Sequence, residues 1–392
     1  MSESPRSVEH VTMSDVAREA GVSMMTVSRV VNDKGDVSAA TRERVLEVID
    51  RLGYRPSSIA RGLATRRTGT LGLVVPDVAN PFFAEVARGV EQVAYAEGYN
   101  VFLCNTDEDP ARELDVLGSL EEKRVDGIVI CSSRLAPEDL HMVVASHPAV
   151  VLVNRRPDAG VGANVAAVLV DDVIGGRLAT AHLLETGHRA IGFVAGPPGS
   201  HSGKGRLAGY AAALAQAGVA CNHGWTEASA PDAEGGLVAA QRLLSRHPEL
   251  TALICYNDLV AVGALGACRE LGLRVPEDQA VVGFDDIPLA ALVTPPLTTC
   301  RVPRVELGLK AVELLFRQIR GEEVDDREIV LEPELVVRVS APAGPPRGST
   351  RRGKGLFSSS AAGGVGKGES GSEPRKDTVA HTHTMQQPRR SL

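Results

Sequence analysis

Between residues 70 and 340 the chain keeps returning to a short apolar run set between longer stretches of helical period. This alternation restricts the possible folds more than any other feature. The runs are Leu71–Val75, Val101–Cys104, Gly127–Ile130, Val150–Val153, Ala167–Val170, Ile191–Ala195, Leu253–Cys255 and Val281–Phe284. A strand with one wet face alternates apolar and polar residues, whereas a continuous apolar run is covered on both faces. Helices that separate such strands imply an open, parallel α/β sheet. Roughly 270 residues exceed one sheet of this kind, so two similar doubly wound lobes are expected. No internal sequence repeat accompanies them.

The first part of the chain differs in both period and charge. The net charge of −7 argues against a nucleic-acid partner until its distribution is considered. Residues 69–341 hold 22 basic against 37 acidic residues, while residues 1–68 hold 11 against 9. Within Tyr54–Thr68 stand Arg55, Arg61, Arg66 and Arg67 with no acid at all. A phosphate-facing surface is therefore confined to the N-terminal segment.

That segment reads as three short helices. Thr12 caps the first, with Asp15 placed as in a capping box, Val16, Ala17 and Ala20 inside, and Gly21 as the stop. Ser23 and Thr26 open the second, in which Val27, Val30 and Val31 recur at helical spacing until Asn32 to Gly35 break it. Ser38 caps the third, whose stripe is Val45, Val48, Ile49 and Leu52, with Gly53 ending it. A glycine turn between the first two helices makes a helix-turn-helix, whose second helix enters the DNA major groove.

Ser23, Met24, Met25, Thr26, Ser28 and Arg29 then face the DNA. The hydroxyls suit phosphates, and Arg29 suits a bidentate contact to guanine, worth about 1–3 kcal/mol of base discrimination. Met24 and Met25 offer only apolar contacts, for example to thymine methyl groups. The alternative is that they plug the headpiece core.

The run from Thr12 to Asn32, with its A-G-V-S-x-x-T-V-S-R-V-V-N string, resembles the headpiece of the LacI (lactose repressor-like) family. So do V-S-x-x-T-R-x-R-V at Val37–Val45 and G-Y-R-P at Gly53–Pro56, and the similarity continues almost to Ala341. The resemblance implies that Met24 and Met25 choose the operator, with Asn32 closing the reading helix. It also implies that Tyr54–Ala64 is a hinge that turns helical on DNA, with Ser57 and Arg61 at phosphates and Leu63 wedged into the minor groove. Gly62 departs from that pattern, since glycine costs about 1 kcal/mol inside a helix. The alternative is a plain flexible linker.

The same resemblance implies a core related to periplasmic sugar-binding proteins, with two lobes closing on a ligand. By motif it places Phe82, Phe83, Asn154, Ser200, Ser202, Arg206, Asn257 and Asp285 at that ligand. Arg206 donates a fork of N–H groups and Asp285 accepts, a combination suited to neighbouring hydroxyls of a sugar. The alternative is an internal Arg–Asp salt bridge.

Other classes are disfavoured. Gly203-Lys-Gly205 lacks the spacing of a phosphate loop, so no cofactor is expected. Asp171-Asp172 and Asp285-Asp286 are sequence neighbours that should point apart, and no nucleophile elbow accompanies them, so no enzyme is expected. The six cysteines stand singly, as buried free thiols in a reducing compartment rather than metal ligands. Charges within Met1–Val11 exclude a secretory leader, and no apolar run spans a membrane, so a soluble, cytoplasmic chain is expected.

The expected architecture is an all-α headpiece at 1–53, a hinge at 54–68, a two-lobed effector-binding and dimerisation core at 69–341, and a disordered basic tail at 342–392. The expected function is a homodimeric, sequence-specific repressor that binds double-stranded operator DNA under control of a small molecule, a carbohydrate. The alternatives are a sugar-binding or sugar-processing protein with an appended DNA-binding domain, and an effector-independent DNA binder with a closed cleft.

Overall fold

The computed structural model describes residues 11–32, 35–55, 67–157, 162, 164–323 and 326–344. The chain forms two units, residues 1–349 and 350–392, and every described residue falls in the first.

The N-terminal helices are α1 (Met13–Ala20), α2 (Met24–Val31) and α3 (Ala39–Leu52). Local chemistry sets their ends. The Asp15 amide donates to Thr12 Oγ1 at 3.3 Å and the Thr12 amide donates to Asp15 Oδ2 at 3.0 Å, a complete capping box. Ser23 and Ser38 cap α2 and α3 by accepting from the Thr26 and Thr41 amides. Gly21 and Gly53 close α1 and α3 in the left-handed conformation. Val16, Ala17, Ala20, Val27, Val30, Val45, Val48 and Tyr54 form one small core.

The first lobe contains β1 (Thr70–Val75), α4 (Pro81–Ala96), β2 (Asn100–Asn105), α5 (Pro110–Glu122), β3 (Gly127–Cys131), α6 (Pro137–Ser146), β4 (Val150–Val153) and β5 (Val165–Val170). The second contains α7 (Asp172–Glu185), β6 (Ile191–Ala195), α8 (His201–Gln216), β7 (Thr226–Ala228), α9 (Ala233–Arg246), β8 (Ala252–Cys255), α10 (Asp258–Glu270), β9 (Ala280–Asp285), α11 (Pro288–Leu292) and β10 (Thr298–Arg301). The chain then returns. Helix α12 (Arg304–Ile319) packs on α4, β11 (Glu328–Leu331) joins the first sheet, and β12 (Glu334–Val336) joins the second.

The sheet orders are β11-β5-β4-β3-β1-β2 and β12-β10-β9-β8-β6-β7. Every pairing is parallel except β10 with β12. Apart from the late-coming strand, each order is the doubly wound 2-1-3-4-5 arrangement, so the lobes repeat an architecture without repeating a sequence. The chain passes between lobes at Asp171, at Val302–Pro303 and at Glu332–Pro333.

All eight apolar runs form strands, and four further strands went unanticipated. Strands β7, β11 and β12 are short and half exposed, and β10 reads Thr-Thr-Cys-Arg, so none carries the signal of a doubly covered strand. Strand β2 departs differently: it lies at a sheet edge with Phe102 and Leu103 exposed. All six cysteines are free; Cys131, Cys255, Cys268 and Cys300 are buried as expected, Cys104 is partly covered and Cys221 is exposed.

Helices α7 and α8 touch backbone to backbone. A Cβ on Gly209 would stand 2.1 Å from the Val173 carbonyl oxygen, and one on Gly176 would stand 2.1 Å from that of Arg206. Paired glycines repeat this contact between α4 and α12 and between α9 and α10. The approach carries Arg206 up to the start of α7, where Asp172 stands.

Gly209→Ala is therefore expected to lower stability in chemical denaturation by about 1–3 kcal/mol. Gly118→Ala, on an exposed helical position with open space around its Cβ, should be neutral or stabilising by up to about 1 kcal/mol. Equal effects would refute the close-approach account.

Candidate functional site

On the headpiece, the start of α2 is exposed. Met24 and Met25 are 56% and 66% exposed, so neither fills the core. Arg29 is exposed beside them. The hydroxyls are partly occupied: Ser23 Oγ accepts from the Thr26 amide and bonds Thr26 Oγ1 at 3.0 Å. Asn32 Nδ2 donates to the Ser28 carbonyl at 2.7 Å and to Ser28 Oγ at 3.3 Å, which ties the end of α2 together. A groove of about 370 Å³ runs from Ser23, Thr26 and Arg29 to Ser38, Thr41 and Arg44 at the start of α3. Thr41 and Arg44 were missed, because their place beside α2 depends on how the helices cross.

Ser57, Arg61 and Leu63 lie outside the described residues. Where the description resumes, Asp126 accepts from the Thr68 and Gly69 amides at 2.7 and 2.9 Å and from Thr68 Oγ1 at 3.0 Å. Strand β1 thus begins clamped to the loop that leads into β3.

The cleft between the lobes is built at the C-terminal ends of both sheets, where open α/β folds bind ligands. It is lined by Asn80, Phe82, Phe83, Glu108, Ser132, Arg134 and Asn154 from the first lobe. Ser202, Arg206, Pro231, Tyr256, Asn257 and Asp285 line it from the second. Its cavity is about 20 Å³, room for about one water. The lobes must part to admit anything larger.

Of the eight residues expected here, seven line the cleft. Ser200 does not: it caps α8, accepting from the Gly203 amide, and bonds the Tyr256 hydroxyl at 2.9 Å. Phe82 and Phe83 stand edge to face with centroids 5.1 Å apart. Asn154 accepts from the Val170 amide at 3.2 Å, on the first crossing segment. Asn257 caps α10 and donates to the Pro231 carbonyl, so its polar ends are engaged within the lobe. Ser202 Oγ and Asp285 Oδ1 are buried without a hydrogen-bond partner.

The Arg206–Asp285 pairing needs correction. Arg206 Nε donates to Asp172 at 2.8 Å and Nη1 to the Tyr256 carbonyl at 2.5 Å, while Nη2 stands 3.7 Å from Asp285 Oδ1. Asp172 is the nearer acid because the α7–α8 glycine contact delivers it. The guanidinium also lies 3.6 Å above the Phe284 ring. Burial opposes the Arg206 charge, yet Asp172 and Asp285 hold its pKa above the ordinary value. Burial pushes the Asp285 carboxyl up to about 7, against the pull of Arg206 and Arg304.

The adjacent acids point apart, as expected. Asp171 caps α7 by accepting from the Ile174 amide at 2.8 Å, whereas Asp172 meets Arg206. Asp286 turns from the cleft to Arg301 and Arg338, each at 2.7 Å. Beneath them Asp258, fully buried, accepts from Thr299 Oγ1 at 2.5 Å and the Ile287 amide at 2.8 Å, anchoring the loop that carries Asp285. Glu108, Ser132 and Arg134 went unread because they sit in loops without periodicity. Among the described residues no cluster of His, Cys, Asp and Glu is arranged to hold a metal, and no helix is long and apolar enough to cross a membrane.

Residues 12–57 match the family model for bacterial regulatory proteins of the lacI family, and residues 68–334 that for periplasmic binding proteins and the sugar binding domain of the LacI family. The chain is 40% identical over 330 residues to the ribose operon repressor of Haemophilus influenzae, covering 84% of this chain and 98% of that protein. Its structure is similar to that of the lac repressor dimer bound to operator and the anti-inducer ONPF, with a TM-score of 0.76 and 29% identity over 86% of this chain and all (100%) of that one. It is also similar to the complex of the transcriptional regulator CelR with cellobiose, with a TM-score of 0.64 and 36% identity over 84% and 100% of the two chains.

Asp285 gives a pH-dependent outcome. With its folded pKa raised from an ordinary 3.8 to about 7, the folded chain binds the proton that the unfolded chain has released. Its contribution to stability is thus full below about pH 4 and is lost as pH rises through about 7. In thermal melts at pH 5, 6, 7 and 8 without ligand, wild type should lose ground steadily relative to Asp285→Asn. A constant difference would show that Asp285 does not titrate in this window.

Proposed function

This chain belongs to the lacI family of bacterial regulatory proteins, and we propose that it is a homodimeric repressor whose affinity for a duplex operator is set by a carbohydrate bound between its lobes. The carrying observation is the pair of buried, unpartnered acceptors in the cleft, Ser202 Oγ and Asp285 Oδ1. Native interiors rarely leave such groups unsatisfied, and a hydroxyl is the simplest group that could reach both. Names among the relatives support a sugar: one is a ribose operon repressor and another is bound to cellobiose.

We keep the division into a headpiece at 1–53, a hinge at 54–68, a core at 69–341 and a tail at 342–392. Ser23, Met24, Met25, Thr26, Ser28, Arg29 and Asn32 are assigned to the operator, with Ser57, Arg61 and Leu63 at the hinge. Exposed Phe102 and Leu103 on β2 and Leu292 on α11 supply apolar surface for a second copy. A chromosomal operator places the protein in the cytoplasm. No catalytic role is assigned to the paired acids, since each carboxylate has its own separate partners.

The small cavity favours a second reading, an effector-independent DNA binder. Fluorescence anisotropy on a duplex selected from a randomised pool, with and without sugars, separates the two. The proposed reading requires that a sugar change operator affinity, and Asp285→Ala should abolish that response while leaving sugar-free DNA binding intact. A selected duplex held equally with every sugar would support the second reading.

Two further outcomes test the operator assignment. Arg29→Ala should weaken the selected duplex by about 1–3 kcal/mol and random duplex far less. Leu63→Ala should likewise weaken selected more than random duplex at fixed salt, and equal losses would count against a wedge.

A further inference from the structure

We propose that Glu108 and Arg134, both from the first lobe, form a second polar clamp in the cleft, one that selects a neutral monosaccharide carrying vicinal hydroxyls at both ends of its ring. The proposal rests on the reading that this cleft takes a carbohydrate, and it narrows the class.

The two side chains pair in a fork. Arg134 Nε donates to Glu108 Oε2 at 2.5 Å and Nη2 donates to Oε1 at 3.2 Å. Both line the cleft, with the Arg134 side chain 7% and that of Glu108 22% exposed. Neither lies in a helix or strand: Glu108 follows β2 and Arg134 follows β3. The loops that present them are costly. Asp107, Glu108 and Ser132 adopt φ of 59°, 58° and 48°, as do Asn154 and Asp285 elsewhere on the cleft at 55° and 108°. Non-glycine residues rarely take such conformations, and where they cluster the surroundings impose them for a purpose. Arg134 is pinned again through its own amide, which donates to the buried Glu113 at 2.9 Å.

A guanidinium has five N–H donors, and Glu108 engages only Nε and Nη2. Donors remain on the arginine and lone pairs on the carboxylate, side by side. Neighbouring hydroxyls meet such a site well, because each one both accepts and donates. The opposite lobe presents the same combination, with Arg206 Nη2 3.7 Å from an Asp285 oxygen that has no hydrogen bond. Between the two ends, Phe82 and Phe83 offer an apolar wall to one ring face. A ligand phosphate would face Glu108 or Asp285, which is why the ligand is neutral.

The pair has a possible second role. Burial opposes the Arg134 charge, but Tyr256 of the facing lobe and Glu108 raise its pKa above the ordinary value. A mere latch between empty lobes would have the opposite mutational effect, since its loss would ease opening and tighten sugar binding.

The test is calorimetry on the full-length protein with D-ribose, D-glucose, D-ribose 5-phosphate and hypoxanthine. Glu108→Gln, Arg134→Gln, the double variant and Asp285→Asn are compared, with sugar-free operator affinity and melting temperature confirming that each is folded. Wild type should prefer a neutral sugar. Glu108→Gln and Arg134→Gln should each weaken it about tenfold or more, and the double variant should lose less than the product of the two. Glu108→Gln should also narrow the gap between ribose and its phosphate. The proposal is overturned if either single variant keeps sugar affinity within about twofold, or tightens it, while Asp285→Asn abolishes binding. A wild-type preference for the phosphate or for hypoxanthine overturns it as well. If wild type binds neither sugar, or Asp285→Asn leaves sugar affinity unchanged, the carbohydrate reading itself fails.

Discussion

One buried cation organises the core. The Arg206 guanidinium gathers the start of α7 through Asp172, the end of β8 through the Tyr256 carbonyl and the end of β9 through Phe284 and Asp285. A charge withdrawn from water costs several kcal/mol unless its partners are complete. Every element around it therefore has to be placed closely, and the glycine contact between α7 and α8 is part of that placement. Asp285 is the member left short, with one buried oxygen lacking a hydrogen bond. The site is thus stable enough to exist without ligand and under-satisfied enough to want one.

The same neighbourhood links the cleft to the crossing segments. Asp286 holds Arg301, just before the second crossing, and Arg338, just beyond β12; Arg304, just after the second crossing, donates to the Asp285 carbonyl. A ligand that draws the lobes together must rearrange or reinforce these contacts, because the chain has no other route between lobes than its three crossings. At the far end of the first lobe, Asp126 holds the amides of Thr68 and Gly69. Strands β1 and β3 thereby keep hold of the chain where it enters from the hinge segment. Couplings between sites in proteins are typically about 1–3 kcal/mol, a size that a few such hydrogen bonds can carry.

Much of this was legible in the residues. The caps at Thr12, Ser23 and Ser38, the stops at Gly21 and Gly53 and the doubly covered strands all report local hydrogen bonding or local burial. Each is written within a few positions of where it acts. Seven of the eight residues expected at the ligand do line the cleft, because they belong to motifs at strand ends. Ser200 was misplaced because a serine before a helix can cap it or face outward, and only the nearby Tyr256 hydroxyl decides. Strands β10 and β12 were invisible because their pairing brings distant stretches together and leaves little apolar signal in either.

By itself, then, the sequence determined the headpiece, the two-lobed plan and most of the cleft lining, since these follow from period, capping and motif within short windows. Tertiary structure alone decided that Arg206 meets Asp172 before Asp285, that Glu108 and Arg134 join the cleft, and that the cavity stands nearly shut. Those outcomes depend on backbone crossings and interlobe distances between residues far apart in the chain, and no local pattern records them.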